Sequence, residues 1–255
     1  MKRIEEILPE DWICELDTES ARFLNRKGVH LERMDADIVI TIGGDGTVLR
    51  TLQNIKSPIL GINMGGLGFL SEVEIGDVES TVYKLIRNEY TIENTLKLKV
   101  MLNGYRLPDS VNEILIHSDK ISKIRRFSIS TKNSFIDLTA ADGVIVATPI
   151  GSTSYSFSAG GPILYPTLRA MVISYLAPFI SRSRSVVIPP EEEILIRIIG
   201  EKQGCLLVID GQYETEVSSN DEIRISVSEN HARFVNVGQS FFDRVREKLI
   251  KNVVD

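Results

Sequence analysis

The sequence predicts an α/β domain built on a parallel sheet, then an all-β, sandwich-like domain, with a C-terminal helix returning to the first domain. Three observations carry this. Ile38-Val39-Ile40-Thr41-Ile42 is a β-branched run of the length of a buried parallel strand, and it stops at Gly43-Gly44-Asp45-Gly46-Thr47. Val48, Leu49 and Leu52 then take up helical spacing. Pro58 to Asn63 repeats the pattern, a second apolar strand ending in the loop Met64-Gly65-Gly66-Leu67-Gly68-Phe69-Leu70. Near residue 92 the rhythm changes to short runs with turn signals between them, as in antiparallel β domains.

Taken in order, Ile13 to Leu16 offers a short strand, and Ser20 to Lys27 reads as a short helix closed by Gly28. Val78, Val82, Leu85 and Ile86 recur at helical spacing before Asn88. Strand, helix, strand, helix is the order of a sheet whose ligands lie beyond the carboxyl ends of its strands. Leu96, Leu98, Val100 and Leu102 alternate into the turn Asn103-Gly104. Further strands are expected at 113–117, 127–131, 134–138 and 144–147, and, after a helical interlude, at 185–188, 194–199, 206–209, 223–227 and 234–237. Ser240 to Lys251 reads as a helix with an N-cap serine and Phe241, Val245 and Leu249 on one face. The expected division is residues 1–92 with 238–255 as the α/β domain and 93–237 as the β domain, the two sharing a cleft.

Composition excludes several classes. A net charge of -6 argues against generic nucleic-acid binding, and the one short basic cluster, Lys123-Ile124-Arg125-Arg126, reads as a solvated strand edge or a phosphate neutraliser. Cys14 and Cys205 lack metal-ligand spacing and read as reduced thiols of a cytoplasmic protein. The first residues carry Lys2, Arg3, Glu5, Glu6, Glu10 and Asp11, unlike a secretory segment, and no apolar run reaches membrane-spanning length. His30, His117 and His231 are scattered and read as surface or core groups.

Two blocks carry chemistry. A glycine turn that opens a helix aims backbone N–H groups and the positive end of the helix dipole at an anion, usually a phosphate. Asp45 inside such a turn repels that ligand, so it either accepts a proton from an attacking hydroxyl or helps hold a metal-bound phosphate. A structural Gly-Asp-Gly turn is the alternative, and the turn alone does not decide. The second block, Asp142 to Pro162, runs from the short strand Val144–Ala147 into a segment of glycines, hydroxyls and Tyr155. Small residues, donors, acceptors and one aromatic face suit the sugars, phosphates and base of a nucleotide. A Ser/Gly-rich surface loop is the competing reading.

The Gly43–Thr47 turn, the Gly61-Ile62-Asn63-Met64-Gly65 to Leu70 loop, the Asn112-Glu113 pair and the 142–162 block together resemble NAD kinases, in that family's order, over roughly residues 35 to 240. The first turn is shared with diacylglycerol, sphingosine and phosphofructokinase-type kinases; Asn112-Glu113 and the long second block are more specific to NAD kinase. The resemblance implies that Asp45 is the catalytic base toward the adenosine ribose 2′-hydroxyl of NAD, with Gly43, Gly44, Gly46 and Thr47 at the phosphate donor. It further implies NAD contacts at Gly46, Asn63, Phe69, Asn112, Glu113, Asp142, Ile150, Thr153, Ser154, Tyr155, Ser158, Ala177 and Gln212, some reaching a neighbouring subunit, and a basic ligand residue near Lys123. Ile150 stands where the family has Thr or Ser, removing a hydrogen bond, and Ser154 where it has Ala. ATP or another phosphoryl donor, Mg²⁺ carried on that donor's phosphates, no side-chain metal site, and a homodimer or homotetramer are implied as well. Nucleotides are then the partners, with neither nucleic acid nor membrane. The chain has neither a P-loop nor the protein-kinase motif set. A lipid or sugar kinase of the same superfamily, or a non-catalytic dinucleotide-binding regulator, are the alternative functions.

Overall fold

The computed structural model describes residues 2–65, 68–120, 123–179, 183–200, 204–238 and 240–250. The chain divides into two compact units, residues 1–94 with 232–255, and residues 95–231.

In the first unit the order is α1 (Lys2–Glu5), α2 (Thr18–Phe23), β1 (Val39–Gly43), α3 (Asp45–Asn54), β2 (Ile59–Asn63), β3 (Val73–Glu74) and α4 (Val78–Ile86). Ile13 to Leu16 is not a strand; beside it stands only an isolated bridge, Asp17 to Val29. Helix α2 begins and ends earlier than the residue pattern suggests. Asp17 caps it, accepting from the amides of Glu19 and Ser20. Asn25, at φ 53, takes the left-handed position at its end. Gly28 has a packing role instead, since a Cβ there would lie 2.7 Å from the Ala21 Cβ and from the Asp17 carbonyl. Strands β1 and β2 are parallel, Val39 opposite Ile59 through Gly43 opposite Asn63, and β3 joins β2 in parallel at Ile62 and Asn63. The apolar faces of β2 and α4 meet through Leu60, Ile62, Val78, Val82 and Leu85, all buried.

The second unit starts within β4 (Thr91–Leu102). It turns through Asn103 and Gly104, both at positive φ as a two-residue hairpin of this hand requires, into β5 (Tyr105–Arg106). Then follow β6 (Glu113–Ser118), β7 (Arg125–Thr131), β8 (Phe135–Ala141), β9 (Gly143–Ala147), α5 (Tyr155–Ser158), β10 (Met171–Leu176), β11 (Val186–Ile188), β12 (Ile194–Ile199), β13 (Gly204–Ile209), β14 (Tyr213–Ser218) and β15 (Ile223–Asn236). One sheet has the order β11-β10-β9-β6-β13-β14, all neighbours antiparallel. A second places β12 between β7 and the first residues of β15. Phe127, Ile129, Ile194 and Ile196 of the latter share a fully buried core with Ile114, Ile116, Val144, Ile173 and Leu207 of the former, which makes a sandwich.

Three expectations are corrected here. The 147–185 interlude holds β10, a buried strand, beside a single helical turn. Strand β14 alternates exposed Glu214 and Glu216 with half-buried Tyr213 and Thr215 and buried Val217, too polar a run to register as a strand. The runs at 223–227 and 234–237 belong to one strand, β15, whose Phe234 pairs in parallel with Ile59 of the first unit's sheet. Helix α6 (Phe241–Val245) follows and continues as a π-helical turn, Arg246–Ile250. Ser240 has N-cap backbone geometry but its side chain makes no cap bond, and Lys251 lies outside the described residues. No helix among the described residues is long and apolar enough to cross a membrane.

Candidate active site

In the first unit both glycine loops leave the carboxyl ends of paired parallel strands, because Gly43 lies opposite Asn63. The first amides of any α-helix lack intrahelical partners, and Gly44 at the N-cap of α3 supplies no side chain to satisfy them. Gly44 and Gly46 are exposed, and a Cβ at either would meet nothing within 4 Å. A Cβ at Gly43 would instead stand 2.5 Å from the Thr47 Oγ1.

Asp45, half-buried, turns its carboxylate onto the second loop. Oδ1 accepts from the amides of Leu70 (3.0 Å) and Ser71 (3.1 Å) and from the Ser71 hydroxyl (3.1 Å). Oδ2 accepts only from the Phe69 amide, at 2.7 Å, among the bonds described. A carboxylate oxygen has two lone pairs, so Oδ2 retains one for an incoming hydroxyl. Gly68 is fixed by the same geometry, since a Cβ there would lie 2.6 Å from Asp45 Oδ1 and 2.3 Å from Ser71 Oγ. Asn63, buried, accepts from the Gly65 amide at 3.1 Å and so shapes the start of that loop.

In the second unit a different carboxylate organises a separate group of candidate residues. Asp210 is buried and accepts from the Ser110 hydroxyl (2.6 Å) and from the successive amides of Val111, Asn112 and Glu113 (2.7, 2.8 and 3.0 Å). Burial pushes its pKa up, against the pull of those donors. Glu113 is pushed up to about 8, first by burial and then by the charge of Asp210, while a hydrogen bond to Ser154 works the other way. The Oδ1 of Asn112 and the Oε2 of Glu113 are buried without hydrogen-bond partners among the described residues. Buried polar atoms are seldom left so, and an arriving donor would satisfy both.

The start of the second block is locked onto this pair. Thr148 donates its amide to the Asn112 carbonyl (2.8 Å) and its hydroxyl to the Val111 carbonyl (2.6 Å), and accepts from the Gly151 amide (2.9 Å). A Cβ on Gly151 would fall 2.0 Å from the Asn112 carbonyl oxygen, so only glycine permits this approach. Ile150 opens the 3₁₀ turn Ile150–Thr153 and its carbonyl takes the Thr153 hydroxyl at 3.0 Å. Tyr155 and Ser158 on α5 are exposed.

Asn112, Glu113, Ile150, Thr153 and Ser154 thus gather at one end of the six-stranded sheet. Gln212 is at the same end, in the turn after Ile209, which pairs with Ile114. Asp142 and Ala177 lie at the other end, where the Asp142 amide donates to the Leu176 carbonyl and Gly143 pairs with His117. The Glu113–Ala147 to His117–Gly143 ladder puts roughly 13 Å of strand between the two groups. Lys123 is exposed, but its neighbour Arg125 is buried and pairs with Asp119 and the Gly204 carbonyl, so the basic cluster is not wholly a solvated edge.

A family model described as the ATP-NAD kinase N-terminal domain matches residues 7–90, and one described as the ATP-NAD kinase C-terminal domain matches residues 111–237. The NAD kinase of Thermoplasma volcanium is 55% identical over 254 residues, covering 100% of this chain and 93% of that protein. This chain belongs to the NAD kinase family. The NAD kinase of Thermoplasma acidophilum is 53% identical over 250 residues, 98% of this chain and 92% of that one. The crystal structure of an NAD kinase from Archaeoglobus fulgidus in complex with ATP superposes with a TM-score of 0.76 at 31% identity, covering 90% of this chain and 92% of that one. The yeast NADH kinase complexed with NADH also gives 0.76, at 26% identity over 85% of this chain and 68% of that one.

Several of these residues have no sequence signal of their own. Asp210-Gly211 reads as an ordinary turn, and both residues do have positive φ. That the same carboxylate also nests three amides about a hundred residues away is invisible without the fold. Thr148 and Ser71 are likewise found only through their partners.

Proposed function

We propose that this chain transfers the γ-phosphoryl group of ATP to the adenosine ribose 2′-hydroxyl of NAD, giving NADP and ADP. The observation that carries the reading is Asp45: a carboxylate held by three loop amides and a hydroxyl at the mouth of a helix-opening glycine turn. Asp45 Oδ2 takes the hydroxyl proton as the new oxygen–phosphorus bond forms and the bond from γ-phosphorus to the bridging oxygen breaks. ADP leaves with the electron pair. Gly43, Gly44, Gly46 and Thr47 receive the donor phosphates against the first amides of α3. Asn112 and Glu113 take nucleotide donors on their unpartnered oxygens, with Asn63, Phe69, Ile150, Thr153, Ser154, Tyr155, Ser158 and Gln212 as further contacts.

Phosphoryl transfer is mostly positioning and charge neutralisation. Among the described residues no group of three or more His, Cys, Asp or Glu side chains stands ready to hold a metal. An ion brought in on the donor's phosphates would neutralise their charge with most of its waters kept. Asp142 and Ala177, at the far end of the sheet, suit contact with a nucleotide held by another copy, as a homodimer or homotetramer would allow. Cytoplasmic residence completes the reading.

Incubation with NAD⁺, ATP and Mg²⁺ tests it: NADP⁺ is the expected product, and a folded protein that makes none above a blank overturns the proposal. Repeating the assay with polyphosphate, other nucleotides and NADH fixes the donor and the redox form accepted.

A further inference from the structure

The stretch that cages Asp45 is gripped from a second side, by the C-terminal segment of the same unit. Residues 69–71 turn their amides toward the Asp45 carboxylate. The opposite features of that stretch meet two cations four residues apart. Arg244, buried on α6, pairs with the equally buried Glu72. Lys248, in the π-helical turn, donates to the Ser71 carbonyl at 3.4 Å and lies 5.7 Å from the centre of the Phe69 ring. The ammonium faces the charges of Asp45, Glu74, Glu247 and Arg244, and burial holds its pKa below the usual lysine range. Single π turns are uncommon in soluble proteins and recur at functional sites. Here the turn carries a cation onto the one residue, Ser71, whose N–H binds the candidate base and whose C=O binds the lysine.

A residue whose N–H and C=O are both bonded is hard to turn. Turning the 70–71 peptide would break the bond from the Ser71 N–H to Asp45, and turning the 71–72 peptide would break the bond from Lys248 to the Ser71 carbonyl, so the two bonds fix Ser71 on both sides. We infer that Lys248 is a positioning residue for Asp45: through the Ser71 carbonyl and the Phe69 ring it fixes the amides that set where the carboxylate points. The inference deepens the reading of Asp45 as base and rests on it. Lys248 touches no substrate in this scheme. Its effect belongs to turnover, because a base displaced by about an ångström loses about 10²-fold in rate while substrate contacts elsewhere persist.

The test uses the full chain with Lys248→Met, which keeps the apolar stem and removes the donor, and Lys248→Arg, which restores a donor. Lys248→Met is expected to lower kcat by about 10- to 100-fold with KM for NAD and for ATP within about 3-fold, and Lys248→Arg to recover most of the loss. Amide exchange at Phe69, Leu70 and Ser71 is expected to quicken by about tenfold in Lys248→Met, a readout independent of any activity. In an Asp45→Asn background the same change is expected to add less than about 3-fold, since a residue acting through Asp45 has nothing left to position. Unchanged exchange at those amides, a full multiplicative loss in the Asp45→Asn background, or a rise in KM for ATP alone would each overturn it, the last by making Lys248 a donor contact. If the wild-type chain makes no NADP⁺, the functional reading fails, while the exchange experiment still decides whether Lys248 holds the loop.

Discussion

Asp210 Oδ1 accepts the amide proton of Asn112 at 2.8 Å across 98 residues of sequence, and it takes the Glu113 amide as well. Asn112 and Glu113, each with a buried side-chain oxygen that has no hydrogen-bond partner among the described residues, are therefore held by their backbones, which leaves those oxygens for a ligand. Replacing Asp210 by Asn puts an NH₂ group where the nest needs an acceptor. Hydrogen bonds to a charged group are worth about 1.5–3 kcal/mol each, and stranding a buried donor costs about 1–3 kcal/mol. Asp210→Asn is expected to lower stability by about 2–4 kcal/mol in urea denaturation and to weaken NAD binding, measured by calorimetry, at least about tenfold. Unaltered affinity in the folded variant would separate Asp210 from the site.

Asp45→Asn keeps the acceptor at Oδ1 and replaces the oxygen proposed to take the proton. Loss of a general base lowers turnover by roughly 10²–10⁴-fold. The new NH₂ would face the Phe69 N–H, so loop order changes too, and NAD affinity should be measured beside kcat. The expected outcome is a large fall in kcat with KM for NAD changed by less than about fivefold. A variant with nearly normal kcat removes the role of base.

What the residue pattern made legible follows from how local each signal is. Strands β1 and β2 announce themselves because β-branched runs stop at glycines, and Asn103-Gly104 because only positive φ serves that turn. Strand β10 escaped because Met171 to Tyr175 is apolar but for Ser174 and buried throughout, and a nearly continuous apolar run has no period to separate strand from buried helix. The site divides the same way. Asp45 stands out in its turn, yet its partners lie 24 to 26 residues later, behind another glycine loop. Arg244 and Lys248 sit among the polar positions of an amphipathic pattern, where cations are ordinary, and only the fold buries Arg244 against Glu72.

Glu113 gives the molecule a pH dependence with a defined sign. In the unfolded chain it ionises near its ordinary 4.5, whereas in the fold burial and Asp210 hold the proton until about pH 8. Between those values the native state binds more protons than the unfolded one, so stability falls as pH rises, by at most about 1.4 kcal/mol per pH unit, and levels off above about 8. Asp210, also raised, acts in the same direction. Glu113→Gln removes the Glu113 part, so its urea midpoint should fall less steeply than the wild type's between pH 5 and 8, and the variant should be the more stable at pH 8. Parallel pH profiles for the two proteins would show that Glu113 is ionised in the fold.

Gly68 offers a test of the Asp45 cage that leaves every charged group in place. It lies outside the helices and strands, and a methyl group there would stand 2.3 Å from Ser71 Oγ and 2.6 Å from Asp45 Oδ1. Contacts that short do not persist, so either the carboxylate leaves its amides or the loop moves away from α3. Overpacking of this kind typically costs about 1–3 kcal/mol, and a displaced base costs roughly 10²-fold in rate. Gly68→Ala is therefore expected to keep its fold by circular dichroism while kcat falls about a hundredfold. Gly76→Ala is the control, because nothing lies within 4 Å of its added Cβ and its φ is not positive, so kcat and melting temperature should both stay close to the wild type's. Equal, small effects of the two substitutions would mean that Asp45 does its work without the cage of residues 69–71.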